Sequence, residues 1–265
     1  MNWPLSIVIL TYNRPELVPD AVAAAQAQPV DDVVVLSNGG NEPSLSKRLN
    51  VRVYERGTND DQLIGGLNAA FQAAKHPWIL FQADDVRLHP DCVTHLFKAV
   101  WKYDTQAVYQ PVLYDPQGRL NHAGMAYVWP GLGMGYQRLI HPTQPYPVPC
   151  FTSGCFLMHR DTFNLVGLWD TQFAPAYYED VDYSLRCHQA GIPTYVVPKA
   201  QATHLSTATF TSLYAQAKLS QFCQQHARRV VRKHYRGVDR ALRLGGLLAV
   251  QALAGVAQQT RRIVR

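Results

Sequence analysis

Leu5-Ser6-Ile7-Val8-Ile9-Leu10, running into Thr11-Tyr12-Asn13-Arg14-Pro15, is the stretch on which the fold turns. Its first six residues are apolar at every position but one and rich in β-branched side chains, the pattern of a short interior strand with no solvent face. Polar residues then break the run, and from Pro15 apolar residues recur at helical spacing through Ala27. The unit is strand, loop, helix, and it repeats. Asp32-Val33-Val34-Val35-Leu36 is a second buried strand closed by the loop Ser37-Asn38-Gly39-Gly40-Asn41. Val51-Arg52-Val53-Tyr54 is a third strand, Gln62 to Lys75 a helix, and Trp78-Ile79-Leu80-Phe81 a fourth strand. Strands alternating with helices predict an α/β fold with a mostly parallel sheet covered on both faces, in which ligands bind beyond the carboxyl ends of the strands. Three polar loops fall at that edge: Thr11 to Arg14, Ser37 to Asn41, and Gln82-Ala83-Asp84-Asp85.

Residues 106–150 lose this regularity, with many prolines and glycines and the aromatics Tyr127, Trp129, Tyr136 and Tyr146, and read as irregular strands and loops. Order returns with a strand at Gly154-Cys155-Phe156-Leu157-Met158, a helix from about Arg160, and a helix from Val181 to Ala190 stopped by Gly191 just past its end. Thr194-Tyr195-Val196-Val197-Pro198 is a last strand leading to His204, and from Thr211 the pattern is helical. The organisation expected is a catalytic domain over residues 1–210, split into halves at 1–105 and 106–210, and a basic helical extension over 211–265.

With 47% apolar and only 17% charged residues the chain cannot be disordered, and 265 residues suffice for a core without staples. Its five cysteines include no Cys-x-x-Cys pair, which argues against a zinc site or a disulfide framework. The residues before Leu5 carry no basic leader, so a cytoplasmic location is expected. The formal charge of +6 is concentrated towards the end, where Arg228, Arg229, Arg232, Lys233, Arg236, Arg240 and Arg243 face one acid, Asp239. Such a segment favours anionic company or is a solvated helix face. Leu242 to Ala257 is nearly free of charge but short for a membrane span, and suits a helix lying on a membrane surface or docked on the body or a second subunit.

Two acidic segments suggest chemistry. Asp84-Asp85 follows an apolar strand, and two neighbouring carboxylates repel unless a hard cation such as Mg²⁺ or Mn²⁺ lies against them; the alternative is a turn that caps the next helix. Tyr177-Tyr178-Glu179-Asp180-Val181-Asp182 places three acids at a helix start, where the dipole favours them, beside two aromatics able to stack on a sugar. A carboxylate so placed has the makings of a general base for a hydroxyl nucleophile, and capping explains it equally well.

Together these segments resemble the family-2 glycosyltransferases, an inverting family with a GT-A type fold, and in particular its rhamnosyltransferase-like and galactofuranosyltransferase-like branches. The resemblance covers roughly residues 5–206 and includes Gly65-Gly66-Leu67-Asn68, Asp84-Asp85-Val86-Arg87-Leu88-His89-Pro90-Asp91, Gly154-Cys155-Phe156, Gly167-Leu168-Trp169-Asp170, Glu179-Asp180-Val181-Asp182 and His204. It implies an enzyme that moves a sugar from a UDP or dTDP donor to a glycan or lipid-linked glycan in cell-surface polysaccharide synthesis. Thr11, Tyr12, Arg14, Asn38, Gly66, Asn68 and Asp84 would hold the donor, and Asp85 and His204 a Mn²⁺ or Mg²⁺ ion. Asp180 would be the base, assisted by Glu179, with Gly154, Trp169 and Tyr178 at the acceptor. The tail would meet an anionic membrane surface, peripherally at its inner face, or a second copy of the chain; nucleic acid is not among the implied partners. Ala83 stands where the family's Asp-x-Asp motif has its first acid, and Ser37 where many members have an acid before the Asn. A sugar nucleotidyltransferase and an inactive nucleotide- or carbohydrate-binding module are the competing readings; no basic, glycine-rich triphosphate loop follows the first strand.

Overall fold

The computed structural model describes residues 3–39, 51–103, 106–136, 138–206 and 216–263, with side chains to residue 253. Gly40, Asn41 and Thr211, named above, lie outside the described residues. Strand β1 (Leu5–Thr11) is buried at every position. It pairs in parallel with β2 (Asp32–Asn38) on one side and, across from β3 (Arg52–Arg56), with β4 (Trp78–Ala83) on the other. The other strands are β5 (Val86–Leu88), β6 (Val108–Tyr114), β7 (Leu120–His122), β8 (Met125–Val128), β9 (Leu132–Gly135), β10 (Tyr146–Pro147), β11 (Cys155–His159) and β12 (Thr194–His204). Among the described residues ten strands form one sheet, in the order β10-β12-β6-β11-β4-β1-β2-β3 with β5 on β12 and β7 on β6, while β8 and β9 make a separate hairpin. The β1, β2, β3 and β4 pairings are parallel, as is β6 with β12; β11 runs antiparallel between β4 and β6.

Because successive side chains of a strand alternate faces, β1 feeds two apolar layers. Ile7 and Ile9 pack with α1 (Val18–Gln26) and, beyond α2 (Gln62–Ala73), with α3 (Cys92–Lys102). Val8 and Leu10 pack with α2 itself, and the same layer takes in Trp169 and Tyr183. The sheet is therefore covered on both faces, as the alternation of strands and helices predicts. Past α4 (Arg160–Val166), helix α5 (Glu179–Gln189) ends as expected. Gly191 adopts φ +75°, and Ile192 N–H returns to the Cys187 carbonyl at 2.9 Å.

Residues 106–150 correct the sequence reading. Val108–Tyr114 is an interior strand rather than an irregular piece, even though Pro111 can donate no ladder bond. The partner strand explains the tolerance: Pro111 pairs with Val197 and Val112 with Gln201, so the register of β12 shifts at the proline. This irregularity lets β12 run on past Pro198 to His204, which carries the histidine to the ligand edge.

The basic C-terminal segment forms α6 (Gln216–His234) and α7 (Gly237–Ile263). Helix α6 is fastened to the segment before α5. Lys233 Nζ lies 2.7 Å from Asp170 Oδ2, Arg229 bonds the Gln172 carbonyl, and His226 Nδ1 lies 3.1 and 2.9 Å from the carbonyls of Ala176 and Tyr177. Since carbonyls only accept, His226 Nδ1 carries the proton. Helix α7 rests on α6 through buried Leu247, and a Cβ added at Gly246 would lie 2.7 Å from Pro130 Cβ, so glycine is what lets α7 approach the β8–β9 turn. At 100° per residue Val238, Leu242, Gly245, Ala249 and Leu253 share the side of α7 opposite Leu247; Val238, Leu242 and Leu253 are 75%, 61% and 71% exposed. No helix among the described residues is long and apolar enough to cross a membrane.

Candidate active site

The carboxyl ends of β1, β2, β4 and β12, the start of β11 and the start of α5 surround one cavity of about 560 Å³, within the range of small-molecule sites. Leu10, Thr11, Tyr12 and Asn38 come from the first two strand ends, Ala83, Asp84 and Asp85 from the turn after β4, Thr152, Ser153 and Gly154 from the entry to β11. Tyr177, Tyr178, Glu179 and Asp180 close the far wall with Cys223 of α6, and His204 enters from the end of β12.

Backbone geometry places the acids. Asp84 N–H bonds the Leu10 carbonyl at 3.1 Å and Leu205 N–H the Asp85 carbonyl at 2.9 Å, pinning the acidic turn between β1 and β12. Both carboxylates are buried, and Arg87, bonded to the Asp84 carbonyl at 2.6 Å, puts a cation behind them. At the opposite wall Tyr177 and Tyr178 both adopt left-handed conformations, φ +74° and +67°. Two consecutive residues of this kind cost roughly 1–3 kcal/mol each, the strain that functional corners store. The His226 clamp on the carbonyls of Ala176 and Tyr177 holds the corner, from which Glu179 and Asp180 enter the cavity.

These two acids have opposite surroundings to Asp182. Burial, and then the negative charge of Glu179, push the Asp180 carboxyl well above the usual carboxylate range; its Oδ1 accepts from Val181 N–H at 2.8 Å. Burial raises Glu179 as well, whose Oε1 accepts from Ser153 Oγ at 2.8 Å while Oε2 has no partner among the described residues. Burial also works against ionised Asp182, but the bond from His234 and the charges of Arg186 and Lys233 outweigh it and hold that carboxyl low. Asp182 is a structural anchor for α6, whereas the surroundings of Asp180 favour its neutral form.

The implied metal fits the residues at β12. His204 Nε2 faces Asp85 Oδ1 at 3.3 Å, and its Nδ1 lies 2.9 Å from Asn121 Oδ1, whose own Nδ2 donates to Ser206 Oγ. With the Asn121 oxygen turned to Nδ1, the Nδ1 proton points there and Nε2 is left to coordinate, the arrangement in which outer partners fix a metal-binding imidazole. One carboxylate and one imidazole suit a Mn²⁺ or Mg²⁺ ion that completes its shell with phosphate and water. No group of three ligating side chains occurs among the described residues.

Four sequence-selected residues lie off the cavity lining. Trp169 is buried, stacked on Tyr183 with centroids 4.1 Å apart, and belongs to the core. Asn68 exchanges two hydrogen bonds with the Trp169 backbone, at 2.8 and 3.1 Å, and so ties α2 to the segment before α5. At Gly66 a Cβ would lie 2.6 Å from Leu10 Cδ1, so the glycine permits close packing of α2 on β1. Arg14 lies 3.7 Å from Glu16. Gly154 does line the cavity, and a Cβ there would make only ordinary contact with Thr152 and Leu113. The sequence reading missed Asn59, Ser153 and His122, none of which sits in a motif. His122 is half-buried on the cavity wall with its buried Nδ1 unpartnered among the described residues, and desolvation, then the nearby His204, push its pKa down to about 4.

The family described as glycosyl transferase family 2 matches residues 6–167. The chain belongs to glycosyl transferase family 2. Solved structures carry the same fold at low identity. GalNAc-T7 with UDP, GalNAc and Mn²⁺ is 18% identical with a TM-score of 0.64, over 76% of this chain and 43% of that one. A mannosyltransferase from Pyrobaculum calidifontis in complex with GDP-Man and Mn²⁺ is 15% identical with a TM-score of 0.62, over 97% and 76%. The S. aureus protein TarS, residues 1–349, is 12% identical with a TM-score of 0.58, over 94% and 71%. The chain thus spans less than half the length of GalNAc-T7. Among curated proteins no match was found. As a family-2 chain with a mostly parallel sheet and its acids at the strand ends, it has the GT-A type architecture that the resemblance implied.

Proposed function

We propose that the chain is an inverting glycosyltransferase that moves a sugar from a UDP or dTDP donor to a hydroxyl of a glycan or lipid-linked glycan, in cell-surface polysaccharide synthesis. The observation that carries this reading is that one cavity joins the acidic turn after β4 to the high-pKa carboxyl of Asp180. Asp180 takes the acceptor hydroxyl proton, the freed oxygen attacks the anomeric carbon, and the bond to the diphosphate breaks on the opposite face, inverting that centre. A carboxyl raised by burial is a stronger base than one in water, and Glu179, held by Ser153, keeps it so. Thr11 and Tyr12 face the donor at the end of β1, and Asp84 its ribose or sugar. Asp85 and His204 would hold a divalent ion, which when bound offsets charge on the departing diphosphate. Tyr178 and Gly154 shape the acceptor side.

The test is transfer and hydrolysis of a panel of nucleotide sugars with Mn²⁺ or with chelator, in the parent and in Asp85→Asn. Expected are turnover with UDP or dTDP sugars, its loss on chelation, and a fall of about 10²-fold or more in the variant at fixed Mn²⁺. Donor binding without turnover under any metal returns the chain to the binding-module reading; turnover of a sugar phosphate with a nucleoside triphosphate favours the nucleotidyltransferase.

A lipid-linked acceptor would be reached at a membrane, and the outward apolar side of α7, with exposed Arg232, Arg236 and Arg240 nearby, suits an anionic surface. Leu242→Glu with Leu253→Glu should then weaken co-sedimentation with phosphatidylglycerol vesicles without lowering the melting temperature, because both side chains are exposed. If vesicle binding is unchanged and a parent dimer dissociates instead, this side of α7 meets a second copy.

A further inference from the structure

Two side-chain amides, a backbone carbonyl and a guanidinium at and just beyond the ends of β2 and β3 form a chain of hydrogen bonds with only one consistent polarity. Arg56 NH1 donates to Asn38 Oδ1 at 2.6 Å, so that atom is the Asn38 oxygen. Asn38 Nδ2 donates to the Gln62 carbonyl at 2.7 Å and to Asn59 at 2.8 Å, and a donor can only meet an acceptor, so the Asn59 atom involved is its oxygen. Both protons of Asn38 Nδ2 are thereby used inside the protein. Arg56 is itself fixed, with NH2 2.6 Å from Asp61 Oδ1. Gly65 makes room for this pair, since a Cβ there would run into Asp61 Oδ1 and Arg56 NH1 where they now sit. Asn59 lines the same cavity as Thr11, whose buried Oγ1 has no partner among the described residues.

We infer that Asn59, turned by Asn38 so that its Nδ2 faces the cavity, is the side chain that reads the nucleobase, by donating to the O4 carbonyl of uracil or thymine. The inference rests on the nucleotide-sugar reading and deepens it. Asn38 is then a positioning residue that passes the polarity of Arg56 to Asn59. A cytosine ring has an amino group at the corresponding position, and two donors facing each other leave both unpaired, which sites built around hydrogen bonds reject strongly.

Asn59→Asp is the discriminating variant. It is nearly isosteric and can still accept from Asn38 through Oδ1, but it turns an acceptor to the cavity instead of a donor. Binding of UDP and of CDP, each with Mn²⁺, is measured by calorimetry on the full chain. The readout is the UDP-to-CDP affinity ratio, because an added negative charge lowers affinity for both nucleotides alike. The parent is expected to prefer UDP by about tenfold or more, and N59D to bring that ratio to one or reverse it, while N59A removes the preference without favouring CDP. A ratio in N59D within twofold of the parent's overturns the inference and leaves the nucleotide-sugar reading standing. A parent that binds neither nucleotide overturns both.

Discussion

Asp180→Asn is expected to reduce sugar transfer by about 10²–10⁴-fold while making the protein more stable at neutral and alkaline pH. The two effects have one cause. Burial and the negative charge of Glu179 hold the Asp180 carboxyl well above the usual range, and Asn keeps its shape without the charge. For an acid whose folded-state pKa is raised, the contribution to stability is fully present below the unfolded value, about 3.9, and is lost as pH rises through the folded value. The parent therefore weakens over that window and the variant does not, so their melting temperatures should agree in acid and separate as pH rises. Transfer in the parent should show an acid limb displaced above the ordinary carboxylate range, because the base works only when ionised. Glu179→Gln removes the neighbouring charge and should move that limb to lower pH. A melting difference that is flat with pH, or an acid limb in the usual carboxylate range, would remove Asp180 from this role.

The strands that carry the site were legible because an interior parallel strand has nothing to say except that it is apolar. Leu5–Leu10, Val33–Leu36 and Trp78–Phe81 are such runs, and the polar residues that end them lie at the ligand edge. Val108–Tyr114 was not legible, since its tolerance of Pro111 depends on a register shift in a strand some ninety residues later. The same limit applies within the site. Asp180 and Asp182 look alike in sequence, both acids in the first turn of a helix, and their difference is made by His234 and Lys233, more than fifty residues on. Trp169 and Asn68 were selected for the right motif, yet they bond to each other and to the core because a motif records spacing, not direction. Asn59 carried no signal, since its orientation is inherited through two other side chains.

Asp182→Ala should cost about 3–5 kcal/mol, more than helix capping supplies, and should lower activity only as a consequence. The Asp182 carboxylate is 1% exposed, with His234 Nε2 at 2.8 Å, Lys233 Nζ at 2.9 Å and Arg186 Nε at 3.1 Å. Removing it strands cations in low dielectric, where the penalty is the uncompensated charge and not merely the lost attraction. Lys233 is partly exposed and keeps Asp170, which places the expected loss towards the lower end, or roughly 6–12 °C in melting temperature for a chain of this size. The pH dependence runs opposite to that of Asp180. A lowered carboxyl contributes stability that is present above the unfolded value and lost as pH falls through the folded one, so parent and variant should converge in acid. Because Asp182 tethers α6, and α6 supplies both the His226 clamp on Tyr177 and the Cys223 wall, loosening it should blunt turnover in proportion to the population with α6 undocked. Activity of the variant should accordingly recover at low temperature, where docking is restored, whereas loss of a proton acceptor would not recover. A variant that melts like the parent but transfers no sugar would move Asp182 into the chemistry and leave α6 held by its other contacts.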